Sequence, residues 1–110
     1  LLYTAFSQPG YALTLLLLPL IVTAEEVVWR GTMHAVLERR LSPAGTVVFG
    51  TLLYAAVLVP TGSPTLVLTA LGAGACWTAL RAVTNSLAAA VVAHLVWDLL
   101  VLVVQVVRLN

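Results

Sequence analysis

The sequence predicts an all-α protein, a polytopic bundle of about four membrane-spanning helices. Of its 110 residues, 62% are apolar and only 8% are charged, whereas a typical soluble domain carries about 25% charged residues. With a mean hydropathy of +1.10, the chain lacks the polar side chains needed to cover a water-facing surface. Strands are excluded because an open sheet cannot leave its edges unpaired in hydrocarbon, and no in-out alternation suggests a barrel.

The charge and cysteine content exclude a nucleic-acid interface and an internal disulfide. Five basic and four acidic side chains give a net charge of +1, which is too little for a nucleic-acid interface. We therefore expect membrane lipid as a partner and no nucleic acid. The single cysteine, Cys76, excludes an internal disulfide. Because the chain begins at Leu1 without a methionine and lacks the segments of a signal peptide, we expect a fragment of a longer membrane protein.

The first predicted helix begins with the apolar residues 11–22 and continues to Leu41. Pro19 predicts a kink or an interruption, because a proline inside a helix removes a backbone hydrogen bond. We therefore divide the chain at this point. Residues 1–19 are the end of a preceding membrane segment or the first half of a kinked helix, and residues 20–107 are the core.

Turn residues separate three further helices. Ser42 and Pro43 end the first helix, so a second is predicted over residues 44–59. The turn sequence at 60–64, Pro-Thr-Gly-Ser-Pro, is the clearest in the chain, and a third helix follows over residues 65–80. Small residues at four-residue spacings in this third helix predict close helix packing: Ala70, Gly72, Gly74 and Cys76.

A polar loop is predicted over residues 81–86, with Asn85 or Ser86 as the cap of a fourth helix over residues 87–107. In this topology most of the arginines fall on one membrane face, and only Arg108 lies on the other. Arginine bias predicts that the first face is cytoplasmic.

Three ionisable residues of the first helix lie where lipid makes them costly. A charge in the membrane interior costs at least ~2.5–3.5 kcal/mol, yet Glu25, Glu26 and Arg30 lie one or more turns inside the arginine-rich end. Glu26 and Arg30 are four residues apart, the spacing at which a carboxylate and a guanidinium meet on one helix face. This pairing leaves Glu25 unexplained, since it lies about 100° around the helix.

A second polar pair, His94 and Asp98, lies four residues apart on the last helix. At 1.5 Å per residue from the arginine-rich end, Glu25 is about 21 Å deep, His94 about 12 Å and Asp98 about 18 Å. Two helices with polar groups at overlapping depth indicate one shared site. A carboxylate and an imidazole together can activate water and stabilise an oxyanion. Hydrolysis is therefore the first hypothesis, and a proton relay, as in a transporter fragment, is the alternative.

The two polar motifs resemble those of a known family. Residues 25–31, Glu-Glu-Val-Val-Trp-Arg-Gly, match EExxxRG, and residues 94–98, His-Leu-Val-Trp-Asp, match HxxxN/D. In this order and separation they resemble the CPBP family, the CAAX proteases and bacteriocin-processing proteins, which is also called the abortive-infection domain. The resemblance covers roughly residues 20–105.

The resemblance implies an intramembrane endopeptidase, a hydrolase in which a glutamate activates water. Glu25 would be that residue, Glu26 and Arg30 would hold the site together, and His94 with Asp98 would bind the oxyanion. The implied substrate is a peptide or a prenylated protein C-terminus, and the implied location is the bacterial plasma membrane. A metalloprotease-like site with a divalent metal such as zinc is a further implication, since Glu and His suit zinc, although the glutamate mechanism does not require it.

One motif of the family is altered. The family's FxxxH on the second helix corresponds best to Tyr54-Ala-Ala-Val-Leu58, so Leu58 replaces the histidine and cannot transfer a proton. A start at Phe49 would place Leu53 there instead. The alternative hypothesis is therefore a catalytically impaired relative that acts as a membrane binding, immunity or scaffold protein. The three tryptophans are predicted to be packing residues: Trp29, Trp77 and Trp97.

Overall fold

The computed structural model describes residues 11–109, which are helices joined by short turns, so the all-α prediction is confirmed. No strand occurs within these residues. The first helix continues directly into a π-helix and then into a short second helix. The elements are α1 (Tyr11–Glu26), the π-helix (Val27–Met33), α2 (His34–Glu38), α3 (Pro43–Ala56), a 3₁₀ turn (Val59–Thr61), α4 (Pro64–Thr84) and α5 (Leu87–Leu109).

Three of the described helical segments are long and apolar enough to cross a membrane, against about four predicted. They are Pro43–Thr61, Pro64–Thr84 and Leu87–Gln105. The first segment, residues 11–38, is not among them, and charged residues cluster where α1 meets the π-helix. A bilayer core needs about 20 residues of helix. The first segment, helical over residues 11–38, reaches this length and carries the buried polar residues Glu26, Arg30 and His34 within it.

The irregularity of the first segment lies after Glu26 rather than at Pro19. Helix α1 runs through Pro19 without interruption, and Thr23 Oγ1 donates to the Pro19 carbonyl at 2.6 Å. The π-helix over Val27–Met33 is a rare element that is frequently found at functional sites. It carries Arg30, which is only 1% exposed.

Serine caps followed by proline begin two of the spanning helices, as the turn signals predicted. The Ser42 side chain accepts from Gly45 N at 3.1 Å, and the Ser63 side chain accepts from Leu66 N at 3.3 Å. Each serine satisfies a backbone donor that the first helical turn leaves free. The following residues, Pro43 and Pro64, lack the donor and suit this position.

The loop predicted over residues 81–86 is confined to residues 85–86, because α4 continues to Thr84, while the predicted cap of the last helix at Asn85 or Ser86 is confirmed at Ser86. Asn85 ends α4 in the left-handed region, with φ 50°, and Ser86 Oγ accepts from Ala89 N at 3.2 Å to cap α5. Arg81 therefore lies within the last turn of a helix. Its Nε donates to the Arg30 carbonyl at 3.1 Å and its Nη1 to Asn85 Oδ1 at 2.8 Å.

The π-helix lies where the other helices meet. Helix α3 packs against α4, α4 against α5, and α5 against α1, while the π-helix contacts α3, α4 and α5. Of the small residues in α4, Ala70 and Gly74 are buried, whereas Gly72 and Cys76 line an open cleft. The predicted close packing therefore applies to one pair, Ala70 and Gly74.

Candidate active site

Arg30 is the centre of the buried polar cluster. Its Nη1 donates to Glu26 Oε1 at 3.0 Å, its Nε to Thr78 Oγ1 at 3.2 Å and its Nη2 to the Gly74 carbonyl at 3.3 Å. One carboxylate from its own helix and two neutral acceptors from α4 thus bind the guanidinium. A buried arginine needs such partners, since an unpaired charge in the interior is costly.

Two aromatic rings complete the surroundings of Arg30. The guanidinium carbon lies 4.4 Å from the centroid of the Tyr54 ring and 5.3 Å from that of Trp77. Both distances are within the range of cation–π attraction, about 6 Å. The guanidinium is therefore fixed by hydrogen bonds at its edge and by rings from α3 and α4.

Glu26 joins Arg30 to His94. The Glu26 side chain is 0% exposed, and its Oε1 lies 2.6 Å from His94 Nδ1 as well as 3.0 Å from Arg30 Nη1. An ionised carboxylate only accepts hydrogen bonds, so Nδ1 of the imidazole carries the hydrogen of this bond. Glu26 thereby fixes the orientation of the ring and leaves the other nitrogen, Nε2, directed away from it.

The free nitrogen of His94 faces the two remaining acids. Nε2 lies 3.5 Å from Asp98 Oδ2 and 3.9 Å from Glu25 Oε2. Trp77 stacks on the imidazole at 4.0 Å between centroids with 17° between planes. The ring is held from both its edge and its face, while the space at Nε2 is bordered by carboxylates.

These distances suit a water molecule at the His94 Nε2 atom. Neither the Glu25 nor the Asp98 carboxylate forms a direct hydrogen bond with Nε2, so this nitrogen and both acids are available to bind a water. Glu25 is 46% exposed and Asp98 14%, in contrast to fully buried Glu26. A carboxylate beside an imidazole can accept a proton from water while the imidazole stabilises a developing negative charge.

The donor set does not fit a resident metal ion. Across residues 11–109, no group of three or more His, Cys, Asp or Glu side chains is arranged to hold one. The zinc implied by the family resemblance therefore gains no support from these side chains, and no chemical step is derived through a metal.

The five residues predicted from the sequence come together in this cluster: Glu25, Glu26, Arg30, His94 and Asp98. The spacing of four residues correctly placed Glu26 beside Arg30 and His94 beside Asp98. It did not reveal that Glu26 Oε1 also contacts His94. Leu58, in the place of the family's histidine, is half-buried in the turn that follows α3.

Four contacting residues were not predicted as part of the site: Tyr54, Gly74, Trp77 and Thr78. Trp77 was assigned to packing, but it stacks on His94, whereas Trp29 packs edge-on against Tyr54 as a packing residue does. The spacing of Gly74 and Thr78, four residues apart on α4, was the available signal. It marks a helix face, but it does not show which buried cation that face binds.

Gly74 permits the close approach of α3 and α4 around Arg30. A Cβ atom at this position would lie 2.8 Å from Tyr54 Cδ1 and 3.2 Å from Arg30 Nη2. We expect Gly74→Ala to lower the free energy of unfolding by about 1–3 kcal/mol, the usual cost of overpacking. Thermal unfolding of the purified protein in detergent measures this change.

Gly72→Ala is the matched control, because it makes the same change two residues earlier in α4. A Cβ atom at Gly72 would meet nothing within 4 Å, so this variant should be neutral or slightly more stable, by up to about 1 kcal/mol from helix propensity. Equal destabilisation of the two variants would contradict the close contact at Gly74.

Comparison with known proteins yields one family. The sequence model described as type II CAAX prenyl endopeptidase Rce1-like matches residues 7–100, which is most of the chain and includes both polar motifs. No curated protein and no solved structure matches the chain significantly.

Proposed function

Because the chain belongs to the type II CAAX prenyl endopeptidase family, an integral membrane family with protease activity, we propose that it is a membrane-embedded endopeptidase with the described cluster as its active site. The observation that carries this proposal is the position of His94 Nε2, which lies 3.9 Å from Glu25 and 3.5 Å from Asp98. In this proposal the hydrolytic water binds at these groups, none of which is hydrogen-bonded to another.

In the proposed reaction Glu25 accepts a proton from this water as the water oxygen attacks the carbonyl carbon of the peptide bond. The resulting oxyanion accepts a hydrogen bond from Nε2 of His94 when the imidazole carries hydrogens on both nitrogens. Glu25 then delivers the proton to the nitrogen of the leaving amine as the carbon–nitrogen bond breaks. One water is consumed, and a carboxylic acid and an amine are released, which become a carboxylate and an ammonium when the acid's proton passes to the amine.

Glu26 and Arg30 are positioning residues in this proposal. Glu26 holds His94 by its Nδ1 atom at 2.6 Å, and Arg30 neutralises the Glu26 carboxylate while it is anchored to α4. Asp98 is the third acid at the site, and its contact with His94 Nε2 supports a role in holding the water or the imidazolium. It replaces the asparagine that is more common in the family motif.

We propose a lipid-modified peptide, such as a prenylated protein C-terminus, as the substrate, processed in a bacterial plasma membrane. The supporting feature is an apolar cleft of about 410 Å³ between α4 and α5, lined by Trp77 and Trp97 among others. Trp77 stacks on His94 and also lines the cleft. An apolar chain bound there would lie beside the catalytic imidazole.

The test is the cleavage of a farnesylated CAAX-type peptide by purified protein in liposomes. Glu25→Gln retains the shape of the side chain but cannot take a proton, so kcat should fall by about 10²–10⁴-fold with an unchanged yield of folded protein. Arg108→Gln, which removes an exposed charge near the far end of α5, is the control and should keep full activity. Cleavage that persists in Glu25→Gln would refute the role of Glu25.

A second candidate function rests on Leu58. The leucine removes the titratable group that the family has at this position, which favours an impaired relative that binds a membrane protein or peptide as an immunity or scaffold factor. In that case the cluster would bind the lipid-modified peptide without cleaving it. Binding of the farnesylated peptide that is equal in wild type and Glu25→Gln, with no product in either, would favour this function.

A further inference from the structure

A line of ionisable residues extends from the active site toward the arginine-rich end of the first segment. Glu26, Arg30, His34 and Glu38 occur at every fourth position. Their exposure increases in that order, with side chains 0%, 1%, 4% and 48% exposed. Glu26 and Arg30 already hold the site together. The ionisable residues at the next two turns, His34 and Glu38, are not needed for that purpose.

The π-helix brings these four residues onto one side. In an α-helix each step of four residues turns about 40° beyond a full turn, so three steps would rotate the line by about 120°. A π-helix bonds residue i to i+5 and has more residues per turn. A step of four within Val27–Met33 therefore falls short of a full turn and offsets the drift.

His34 is buried without full hydrogen bonding. Its Nδ1 has no partner among the described residues, and its Nε2 lies 3.7 Å from Glu38 Oε2, which is beyond hydrogen-bond distance. His34 and Glu38 line a cleft of about 240 Å³ together with Leu41, Pro43, Thr46 and Ala82. The cleft reaches the surface at Glu38 and Leu41, which are 48% and 38% exposed.

Glu26, at the inner end of the line, also has a buried polar atom without a hydrogen-bond partner in the described part of the chain. This atom is Oε2, and Glu26 lies two steps of four residues from His34. Buried polar atoms are normally satisfied by protein or by ordered water. The positive groups that face this line are Arg30 itself and Arg81, whose Nε bonds the Arg30 carbonyl.

We propose that the cleft at His34 is a water-binding site and the entrance of a path by which water moves along this face of the first segment to Glu26 and His94. His34 Nδ1 and Glu26 Oε2 bind water at its middle and inner end, and Glu38 lies at its mouth. Its functional value rests on the proposed function, because peptide hydrolysis consumes one water for each bond cleaved.

The path can be tested by the reaction of introduced thiols with a hydrophilic methanethiosulfonate reagent, with the protein in liposomes and native Cys76 replaced by alanine. Such reagents react with the thiolate, which forms in water and not in lipid. His34→Cys and the size-conserving Ala82→Cys, on the opposite wall of the cleft, are the two test variants. Thr32→Cys and Val36→Cys are the controls, because both side chains are exposed on the outer surface.

The controls bracket His34 along the helix axis. If reactivity depended on depth alone, the rate at His34→Cys would lie between those at Thr32→Cys and Val36→Cys. We expect it to exceed both by about ten-fold or more, because only the thiol in the cleft is hydrated. Ala82→Cys should behave in the same way, which keeps the test decisive if His34→Cys folds poorly.

Rates at the cleft positions no faster than at the controls would overturn the path, whether or not the protein hydrolyses peptides. Fast labelling of the cleft in a protein without peptidase activity would uphold the hydrated entrance of the path and count against the proposed function alone. The two proposals therefore fail separately.

Discussion

Replacing Glu26 with alanine should lower the free energy of unfolding by about 3–5 kcal/mol, the usual cost of removing one partner from a buried ion pair. Arg30 would remain 1% exposed with only neutral acceptors, Thr78 Oγ1 and the Gly74 carbonyl. The same change frees His94 Nδ1, which Glu26 now binds at 2.6 Å. Denaturation in detergent, together with the yield of folded protein, measures the effect.

Glu25→Ala is the matched control, since it removes the same side chain from the neighbouring position. Glu25 is 46% exposed, and its contact with His94 is 3.9 Å long, so its removal should change stability by well under half as much. The peptidase activity should fall in both variants, but the stability should fall strongly only in Glu26→Ala. Equal losses of stability would show that the Glu26–Arg30 pair is not the main support of the site.

Replacing Leu58 with histidine should raise peptide cleavage, because it restores a titratable side chain where the family has one. A positioned general acid or base contributes about 10²–10⁴-fold to a rate, so a gain of about 10²-fold over wild type is expected. Leu58 is half-buried and follows Tyr54 by four residues, and Tyr54 lies against Arg30. The measurement is kcat on the farnesylated peptide in liposomes.

Two further variants show whether the gain depends on position 58 and on Glu25. Leu53→His tests the alternative motif that starts at Phe49 and should give no increase, since Tyr54 is the aromatic residue that contacts the site. Adding Glu25→Ala to Leu58→His should abolish the gain. Glu25-dependent cleavage in wild type that Leu58→His leaves unchanged would mean that another residue, most plausibly His94, performs the missing step.

The local sequence was sufficient to predict the helices and part of the site. Apolar composition required helices, and the turns at Ser42-Pro43 and at residues 60–64 placed two helix starts within one residue of where they occur. Four-residue spacing paired Glu26 with Arg30 and His94 with Asp98. These features depend on backbone hydrogen bonding and on neighbours within one or two turns, which a linear sequence displays directly.

The end of α4 was mispredicted because it depends on a contact with a residue far away in the sequence. Polar residues at 81–86 favour a loop when only composition is considered, but Arg81 bonds the Arg30 carbonyl, a residue 51 positions away. Likewise no local signal marked the π-helix over Val27–Met33. The π-helix contacts three other helices, α3, α4 and α5, and such contacts exist only after the helices have packed.

The sequence by itself determined that the protein is helical and apolar and that it carries two polar pairs at costly positions. Only the tertiary structure decided how these pairs combine: Glu26 binds His94 as well as Arg30, and Gly74, Thr78 and Tyr54 enclose the guanidinium. The physical reason is that hydrogen bonds and ring contacts act over a few ångströms. Residues as far apart as 26 and 94 reach that range only after the helices have packed.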